Sequence, residues 1–145
     1  MCKKTEESNC IADILKVILI LQKKACLTSD ELNTCDKKVL GYDNLNICNY
    51  NTRPIQLFLI SKNGNEPLIM PTTRGLIDET TIYSSVFRLE KLDNNCATFR
   101  VLSPISTSNQ STCSSYEKTN SFFTLDLKCV CAIRCLNDTI IEGVC

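Results

Sequence analysis

Histidine and tryptophan are both absent from the 145 residues of this chain. The lack of histidine excludes Ser-His and Cys-His catalysis and every His-ligated metal site, because imidazole is the side chain that titrates closest to neutral pH. The cysteines include no C-x-x-C pair, which is the spacing of zinc knuckles and of thioredoxin-like redox sites. We therefore expect no enzyme, no catalytic residue and no cofactor.

Net charge is missing as well, since sixteen basic residues balance sixteen acidic ones. A neutral chain without a basic stripe gives no reason to expect a nucleic-acid or membrane partner, and it permits association between copies. The apolar stretch 11–21 is too short for a membrane span, and Asp13 and Lys16 interrupt it. No small-x-small cleavage site follows it, so we expect a protein made in the cytoplasm without a signal peptide.

Cysteine, by contrast, is abundant, with eleven residues. This number in so short a chain indicates a disulfide framework or a metal cluster. Because the count is odd, at least one thiol must stay free, bind something or bond another chain. A zinc- or copper-binding protein is thus the alternative to a cross-linked structural protein. We predict no metal ligands in Cys129-x-Cys131-x3-Cys135, because the apolar residues between these cysteines suit a packed strand rather than a ligand loop.

An amphipathic pattern predicts one helix over residues 9–25. Apolar residues recur at the i, i+3, i+4, i+7 spacing from Ile11 until Gln22 breaks it, and Ser8 or Asn9 can cap the start. Further apolar residues make this helix apolar on more than one side. It either packs wholly on the core or also presents part of its surface to a neighbouring subunit.

Two hairpins and a final strand are predicted after residue 54. The first hairpin turns at Asn63-Gly64, between 56–61 and 67–70, and the second turns at 93–95, between 86–92 and 97–102. In the second hairpin, alternation turns one set of side chains inward (Phe87, Leu89, Ala97, Phe99 and Val101) and another set outward, where it can pair across the strands (Arg88, Glu90 and Arg100).

The final strand is predicted over residues 123–133, with a strict period of two. The fold class is then mainly β, a single antiparallel β-sandwich or barrel-like domain with one N-terminal α-helix. We expect residues 1–8 to form a flexible N-terminal segment and residues 9–145 to form the single cysteine-rich domain.

These elements sort the cysteines by their expected mobility. Cys129 and Cys131 lie on the inward face of the final strand, so we expect them to act within the chain or to stay as buried thiols. Cys96 and Cys135 lie at element ends and are left unassigned. The candidates for intermolecular disulfides lie in flexible or terminal segments: Cys2, Cys10, Cys26, Cys35, Cys48, Cys113 and Cys145. Cys2 and Cys10 are the first choices, because they lie beside the helix, the element expected to touch a neighbour.

Four stretches of the chain follow one another in a characteristic order. They are Asn51-Thr52-Arg53-Pro54, Val86-Phe87-Arg88-Leu89-Glu90, Cys96-Ala97 with Arg100-Val101-Leu102, and Thr124-Leu125-Asp126-Leu127 followed by Cys129-Val130-Cys131-Ala132-Ile133-Arg134-Cys135-Leu136. In this order they resemble the spore coat protein Y/Z family, the cysteine-rich outer coat, crust and exosporium proteins of endospore-forming bacteria. The similarity covers residues 50–137, and the closing run is its most specific part.

The resemblance implies a structural protein that is made in the mother-cell cytoplasm and builds a two-dimensional, often hexagonal, lattice at the spore surface. Its partners would be itself, as a hexamer and an extended lattice, and other coat or exosporium proteins. Disulfides would form as the layer matures, which reconciles a cytoplasmic origin with a high cysteine content.

Overall fold

The structure, a computed structural model, describes residues 9–29, 48–106 and 113–145, with the side chains of 27–29 left out. Its elements in chain order are helix α1 (Cys10–Ser29), strands β1 (Ile55–Leu59), β2 (Met70–Pro71), β3 (Tyr83–Ser84), β4 (Phe87–Asp93), β5 (Cys96–Pro104), β6 (Tyr116–Asp126) and β7 (Val130–Cys135), with 3-10 turns at Ile60–Lys62 and Leu127–Cys129. Five strands form one antiparallel sheet in the order β6-β5-β4-β1-β7, and β2 pairs with β3 in a short ribbon. The Ser121 hydroxyl donates to the Pro71 carbonyl oxygen at 2.8 Å and ties this ribbon to the large sheet.

The predicted fold class is confirmed for the described part of the chain, which holds one α-helix and mainly antiparallel strands. The large sheet stays open, with β6 and β7 at its edges, so the domain is sandwich-like rather than a closed barrel. The helix in these residues is not apolar enough over its length to cross a membrane.

Helix α1 begins at the predicted position. The Asn9 side chain accepts a hydrogen bond from the Ile11 amide at 3.0 Å, and the Asn9 carbonyl oxygen accepts one from the Asp13 amide at 3.1 Å, as expected of an N-cap. The helix continues to Ser29, beyond the predicted end at 25, because neither glycine nor proline follows Lys24 to stop it.

The buried stripe of α1 consists of Ile11, Leu15, Ile18 and, one turn further, Gln22. The Gln22 amide group donates to the Leu89 carbonyl oxygen at 2.9 Å, and its oxygen accepts from the Arg53 amide at 3.1 Å. Both polar ends of this buried side chain are therefore satisfied. The glutamine that interrupts the apolar pattern fixes the helix to two neighbouring segments instead of ending the packed face.

The β4–β5 hairpin supplies the centre of the core, as predicted. Asn94 takes the left-handed conformation, with φ of 53°, and Phe87 pairs with Val101 while Leu89 pairs with Phe99. The four residues of these two pairs and Ala97 are fully buried. The ring of Phe123 lies 4.8 Å from that of Phe87 and 5.4 Å from that of Phe99 between ring centroids, so three strands share one aromatic cluster.

The opposite face of the hairpin carries the predicted ion pairs but is more covered than expected. Glu90 accepts from Arg88 at 2.9 Å and from Arg100 at 3.0 Å. The expectation that all three face outward is wrong for Arg88, which is 4% exposed. Its guanidinium donates to the Thr52 hydroxyl at 2.8 Å and to the Asn51 carbonyl oxygen at 3.3 Å, so the segment before β1 covers it.

The first predicted hairpin forms only in part. Asn63 and Gly64 both have positive φ, 54° and 67°, which suits a tight turn. A 3-10 turn precedes them, however, and one isolated bridge between Phe58 and Pro67 joins the two arms. The regular partners of β1 are β4 and β7, so the turn signal was right, but the strand pairing inferred from it is limited to this bridge.

Candidate cross-linking site

The final predicted strand is broken where its cysteines begin. Residues Leu127–Cys129 form a 3-10 turn, and the Asp126 side chain accepts a hydrogen bond from the Lys128 amide at 3.0 Å to cap it. Residues three apart share one side of a 3-10 turn, so Leu127 and Val130 are both buried. The expectation that Cys129 and Cys131 point inward is therefore wrong, since both are exposed free thiols.

Cys131 also lies at an irregularity of the sheet. Phe58 pairs with Ala132 and Leu59 with Val130, which leaves Cys131 as the extra residue of a β-bulge. Its Sγ lies 3.3 Å from the Phe58 carbonyl oxygen, to which it can donate. The other cysteine of β7, Cys135, ends the strand opposite Ile55 and is an exposed free thiol as well.

Two hydrogen bonds link Leu127, two residues before Cys129, to the segments that carry Cys10 and Cys96. The Asn9 amide group donates to the Leu127 carbonyl oxygen at 3.5 Å, and Cys10 is the next residue along the chain. The Leu127 amide donates to the Asn95 carbonyl oxygen at 2.8 Å, and Cys96 follows directly. We call this end of the domain the Leu127 pole and define it by Cys10, Cys96 and Cys129, which are all exposed and free.

The Leu127 pole brings together residues that the sequence assigned to different classes. Cys10 was a candidate for intermolecular bonds, Cys129 was expected to act within the chain, and Cys96 was unassigned. Because the chain has eleven cysteines, they cannot all pair with one another inside one chain. The three exposed free thiols of the pole are accessible to another molecule. Within the described part of the chain, no three His, Cys, Asp or Glu side chains are placed to hold a metal ion.

Four other cysteines form two disulfides within the chain. Cys26 bonds Cys145 with 5.2 Å between their Cα atoms, and Cys48 bonds Cys113 with 5.5 Å. All four were expected to reach other chains from flexible segments. That expectation is corrected here, because the segments that carry them are held close to each other. Cys2 and Cys35, the remaining candidates, lie outside the described residues.

The C-terminal tail, residues 136–145, is the element that holds these disulfides in place. Thr52 and Thr139 exchange two backbone hydrogen bonds, at 3.0 and 3.2 Å. The Asn51 side chain donates to the Ile141 carbonyl oxygen and accepts from its amide, at 2.9 and 3.0 Å. Ile141 is buried, and the apolar residues of this tail were the sequence signal that could have indicated its docking.

The tail also docks close to Cys113 and carries an ion pair. The Ile140 amide donates to the Cys113 carbonyl oxygen at 2.9 Å. Arg53 and Asp138 form a two-point salt bridge, with nitrogen–oxygen distances of 2.8 and 3.0 Å. Hydrogen bonding to Asp138, and then its negative charge, raise the pKa of the Arg53 guanidinium above its usual value.

Two apolar surfaces of the domain face solvent. The first, here called the helix seam, consists of Cys10, Ile14, Val17 and Leu21, whose 4-3-4 spacing matches one side of a coiled coil. The second is the Leu76 loop, residues 72–82, in which Leu76 is 96% exposed. The backbone amide and the hydroxyl of Thr72 both donate to the Ile82 carbonyl oxygen at 2.9 Å, so the two ends of this loop are fixed.

Comparison with known proteins gives these surfaces and thiols a context. The family model of spore coat protein Z matches residues 1–138. The chain belongs to the spore coat protein Z family. A curated relative, spore coat protein Z of Bacillus subtilis (strain 168), is 28% identical over 153 aligned residues, which cover 98% of this chain and 97% of the relative. No solved structure matches. The match is longer than the expected 50–137 and includes helix α1 and the Leu127 pole.

Proposed function

We propose that this chain is a structural subunit of the bacterial spore surface that assembles with its own copies into a two-dimensional lattice, which interchain disulfides then cross-link. The observation that carries this proposal is the exposure of five free thiols in the described residues. The subunit is made in the mother-cell cytoplasm, adopts a hexagonal arrangement and docks on other coat or exosporium proteins. It has no catalytic role.

Non-covalent contacts come first in this proposal, because a disulfide forms only when the two Cβ atoms lie within about 4.5 Å. The helix seam and the Leu76 loop supply two unlike apolar surfaces for these contacts. Two different contacts suit a planar lattice, since a heterologous contact around one axis closes a ring and a second contact joins the rings. The zero net charge of the chain leaves little repulsion between copies.

Covalent bonds follow at the Leu127 pole. Cys10 belongs both to the pole and to the helix seam, so a neighbour that packs on the seam brings its own surface next to this thiol. The bonds add kinetic stability to a lattice that has already formed. Cys2 and Cys35 remain candidates for the same role. Four other cysteines are already bonded within the chain when assembly starts: Cys26, Cys48, Cys113 and Cys145.

Electron microscopy of the purified chain under reducing and oxidising conditions tests the assembly itself. We expect ordered sheets or closed rings in both conditions, and covalent oligomers that survive boiling only after oxidation. A chain that stays monomeric at high concentration in both conditions would refute the proposal. Elemental analysis of protein purified without chelator tests the metal-binding alternative on the complete chain.

Val17→Asp tests the helix seam. Val17 is 56% exposed, so the charge is tolerated in the monomer but is not tolerated in an apolar interface. We expect the reduced variant to form smaller species than the unmodified chain, with unchanged helix content by circular dichroism. Lys16→Asp, at the preceding residue and outside the seam, is the matched control. If the two variants assembled equally well, the helix seam would not be an interface between copies.

Replacing Cys10, Cys96 and Cys129 together by serine tests the Leu127 pole. We expect the ladder of covalent oligomers on a non-reducing gel to be strongly reduced, while reduced assemblies look the same by microscopy. The control replaces Cys131 and Cys135, which are also exposed and free but lie along β7. If only the control removes the ladder, the covalent bonds belong to the edge strand and not to the pole.

A further inference from the structure

The Cys26–Cys145 disulfide lies in a setting suited to exchange with another thiol. We propose that it is a thiol–disulfide exchange site, at which a thiolate of a second copy attacks the Sγ of Cys145 and Cys26 leaves as a thiolate. This inference rests on the proposed function, because it specifies how one of its interchain bonds forms. It assigns the disulfide the role of electron acceptor in cross-linking, in place of a purely structural role.

The disulfide borders a cleft of about 430 Å³ between α1, β4 and the C-terminal tail. Cys26 and Lys23 enter the cleft from α1, Arg88 and Glu90 from β4, and Cys145 from the tail. The cleft is open to solvent, and its volume is many times that of one water molecule, which occupies about 30 Å³ in the liquid. A side chain of a second protein therefore has room to approach the sulfur atoms.

The two cysteines of this disulfide differ in exposure. Cys145 is exposed, whereas Cys26 is half-buried on the helix. The Asn51 amide group approaches the Cys145 Sγ at 3.7 Å, which is a weak contact for a sulfur acceptor. Exchange requires in-line approach to one sulfur, and access decides which sulfur is attacked. Attack on Cys145 is favoured for this reason.

The charges in the cleft favour departure of the electron pair on Cys26. Lys23 lies three residues before Cys26, so the two side chains share one face of α1. The charged side chains of the cleft are Lys23, Arg88 and Glu90. Arg88 and Glu90 pair with each other, so Lys23 is the cation on the same helix face as Cys26. A nearby cation favours the thiolate form of a leaving cysteine and speeds exchange.

The step balances without an added oxidant. The bond between the attacking sulfur and Cys145 forms as the bond between Cys26 and Cys145 breaks, and the electron pair stays on Cys26. The number of disulfides is unchanged, and the Cys26 thiolate takes a proton from water or attacks a further disulfide. An intrachain bond becomes an interchain bond in a single exchange.

The fold keeps the tail in place during this step. Residues up to Ile141 are fixed by the paired hydrogen bonds of Thr52 with Thr139 and of Asn51 with Ile141. Cys145 is four positions further along, past Gly143, whose φ of 78° favours glycine. Beyond Ile141, the half-buried Val144 packs against Val86, Leu102 and Ile141, so the tail stays bound to the domain when Cys145 changes its partner.

Reaction with glutathione tests the direction of exchange without any assembly. Full-length oxidised protein is alkylated at its free thiols, treated anaerobically with glutathione and quenched with a second alkylating label. We expect mass spectrometry to find glutathione on Cys145 and the second label on Cys26 in most reacted molecules. Lys23→Gln should slow the reaction about two- to fivefold, the range expected of one exposed charge pair. Lys24→Gln, outside the cleft, should not slow it.

Glutathione found mainly on Cys26, or equal slowing by the two lysine variants, would overturn the exchange site. A second measurement uses the protein with its thiols unblocked, in the absence of oxygen. The unmodified chain should then form interchain bonds at Cys145, and Cys26→Ser should not, because its Cys145 is no longer part of a disulfide that a second copy can attack. Interchain bonds at Cys145 in Cys26→Ser at the unmodified level would also overturn it.

The two experiments separate this inference from the proposed function. If the chain forms sheets or rings but glutathione is found on Cys26, the lattice proposal is supported and the exchange site is refuted. If glutathione is found on Cys145 but the chain never assembles, the exchange site is supported and the lattice proposal is refuted.

Discussion

The two ends of helix α1 carry cysteines in opposite states. At its start, Cys10 is a free exposed thiol of the Leu127 pole. At its other end, Cys26 is bonded to Cys145, whose Cα atom lies 5.2 Å away. The difference comes from what each end meets. The start touches the Leu127 peptide through Asn9, which positions no sulfur for bonding, whereas the other end meets a docked tail that carries one. Tertiary contacts thus decide which thiols remain for other chains.

Leu15→Ala should disturb both ends of α1 at once and gives the largest effect expected here. Leu15 is fully buried between the two ends, and its truncation leaves a cavity. We expect a loss of about 2–5 kcal/mol in the free energy of unfolding, measured by urea denaturation under reducing conditions. Val17→Ala, on the exposed side, should change it by no more than about 0.5 kcal/mol. Similar losses in both variants would show that α1 does not pack as described.

Cys26→Ser and Cys10→Ser compare the two ends directly. The Cys26–Cys145 bond spans 119 residues of sequence, so losing it frees the unfolded chain considerably. We expect oxidised Cys26→Ser to lose about 2–4 kcal/mol in unfolding free energy, and Cys10→Ser to stay within about 0.5 kcal/mol. The difference should vanish in a reductant. A difference that persists after reduction would mean that Cys26 stabilises the domain by packing and not by its bond.

Asn9→Ala affects the start of the helix alone. Loss of the N-cap should cost about 1 kcal/mol in thermal or urea unfolding. Because the first turn then frays, Cys10 should also be alkylated faster, while the Cys26–Cys145 bond stays intact. Asn9→Asp keeps an acceptor at the cap and should restore both values. If the alkylation rate did not change, the N-cap would not control the accessibility of Cys10.

Asp138→Asn affects the tail end alone and gives the smallest effect. The Arg53–Asp138 pair is 40% and 33% exposed, so solvent screens it. We expect a loss of about 0.2–1 kcal/mol at low ionic strength, and less at high salt. Urea unfolding at two salt concentrations measures this. A loss that is independent of salt would assign the tail's attachment to its hydrogen bonds rather than to this charge pair.

The sequence predicted the elements that depend on local pattern. Apolar spacing and the cap residue located α1, and strict alternation around 93–95 located the β4–β5 hairpin with its inward residues. Each of these signals lies within one segment, so no knowledge of distant partners was needed. The pairing of Glu90 with both arginines followed from the same alternation.

The chemistry of the cysteines could not be predicted in the same way. One 3-10 turn at Leu127–Cys129 reversed the direction of Cys129, and a bulge displaced Cys131. Neither irregularity can be recognised from a period-2 pattern of apolar residues. Disulfide partners 119 and 65 residues apart depend on where the tail docks, which is a property of the assembled sheet. The Leu127 pole joins three segments that have no sequence relation to one another.

The number of exposed thiols on this chain has a consequence for the network that the proposed interchain disulfides would form. In polymer chemistry, a monomer with two reactive groups gives linear chains, whereas a monomer with three or more gives a branched network. A subunit with five exposed thiols in its described part belongs to the second kind. A network of this kind would stay connected after any one bond is reduced, because the subunits on both sides of that bond keep other bonds.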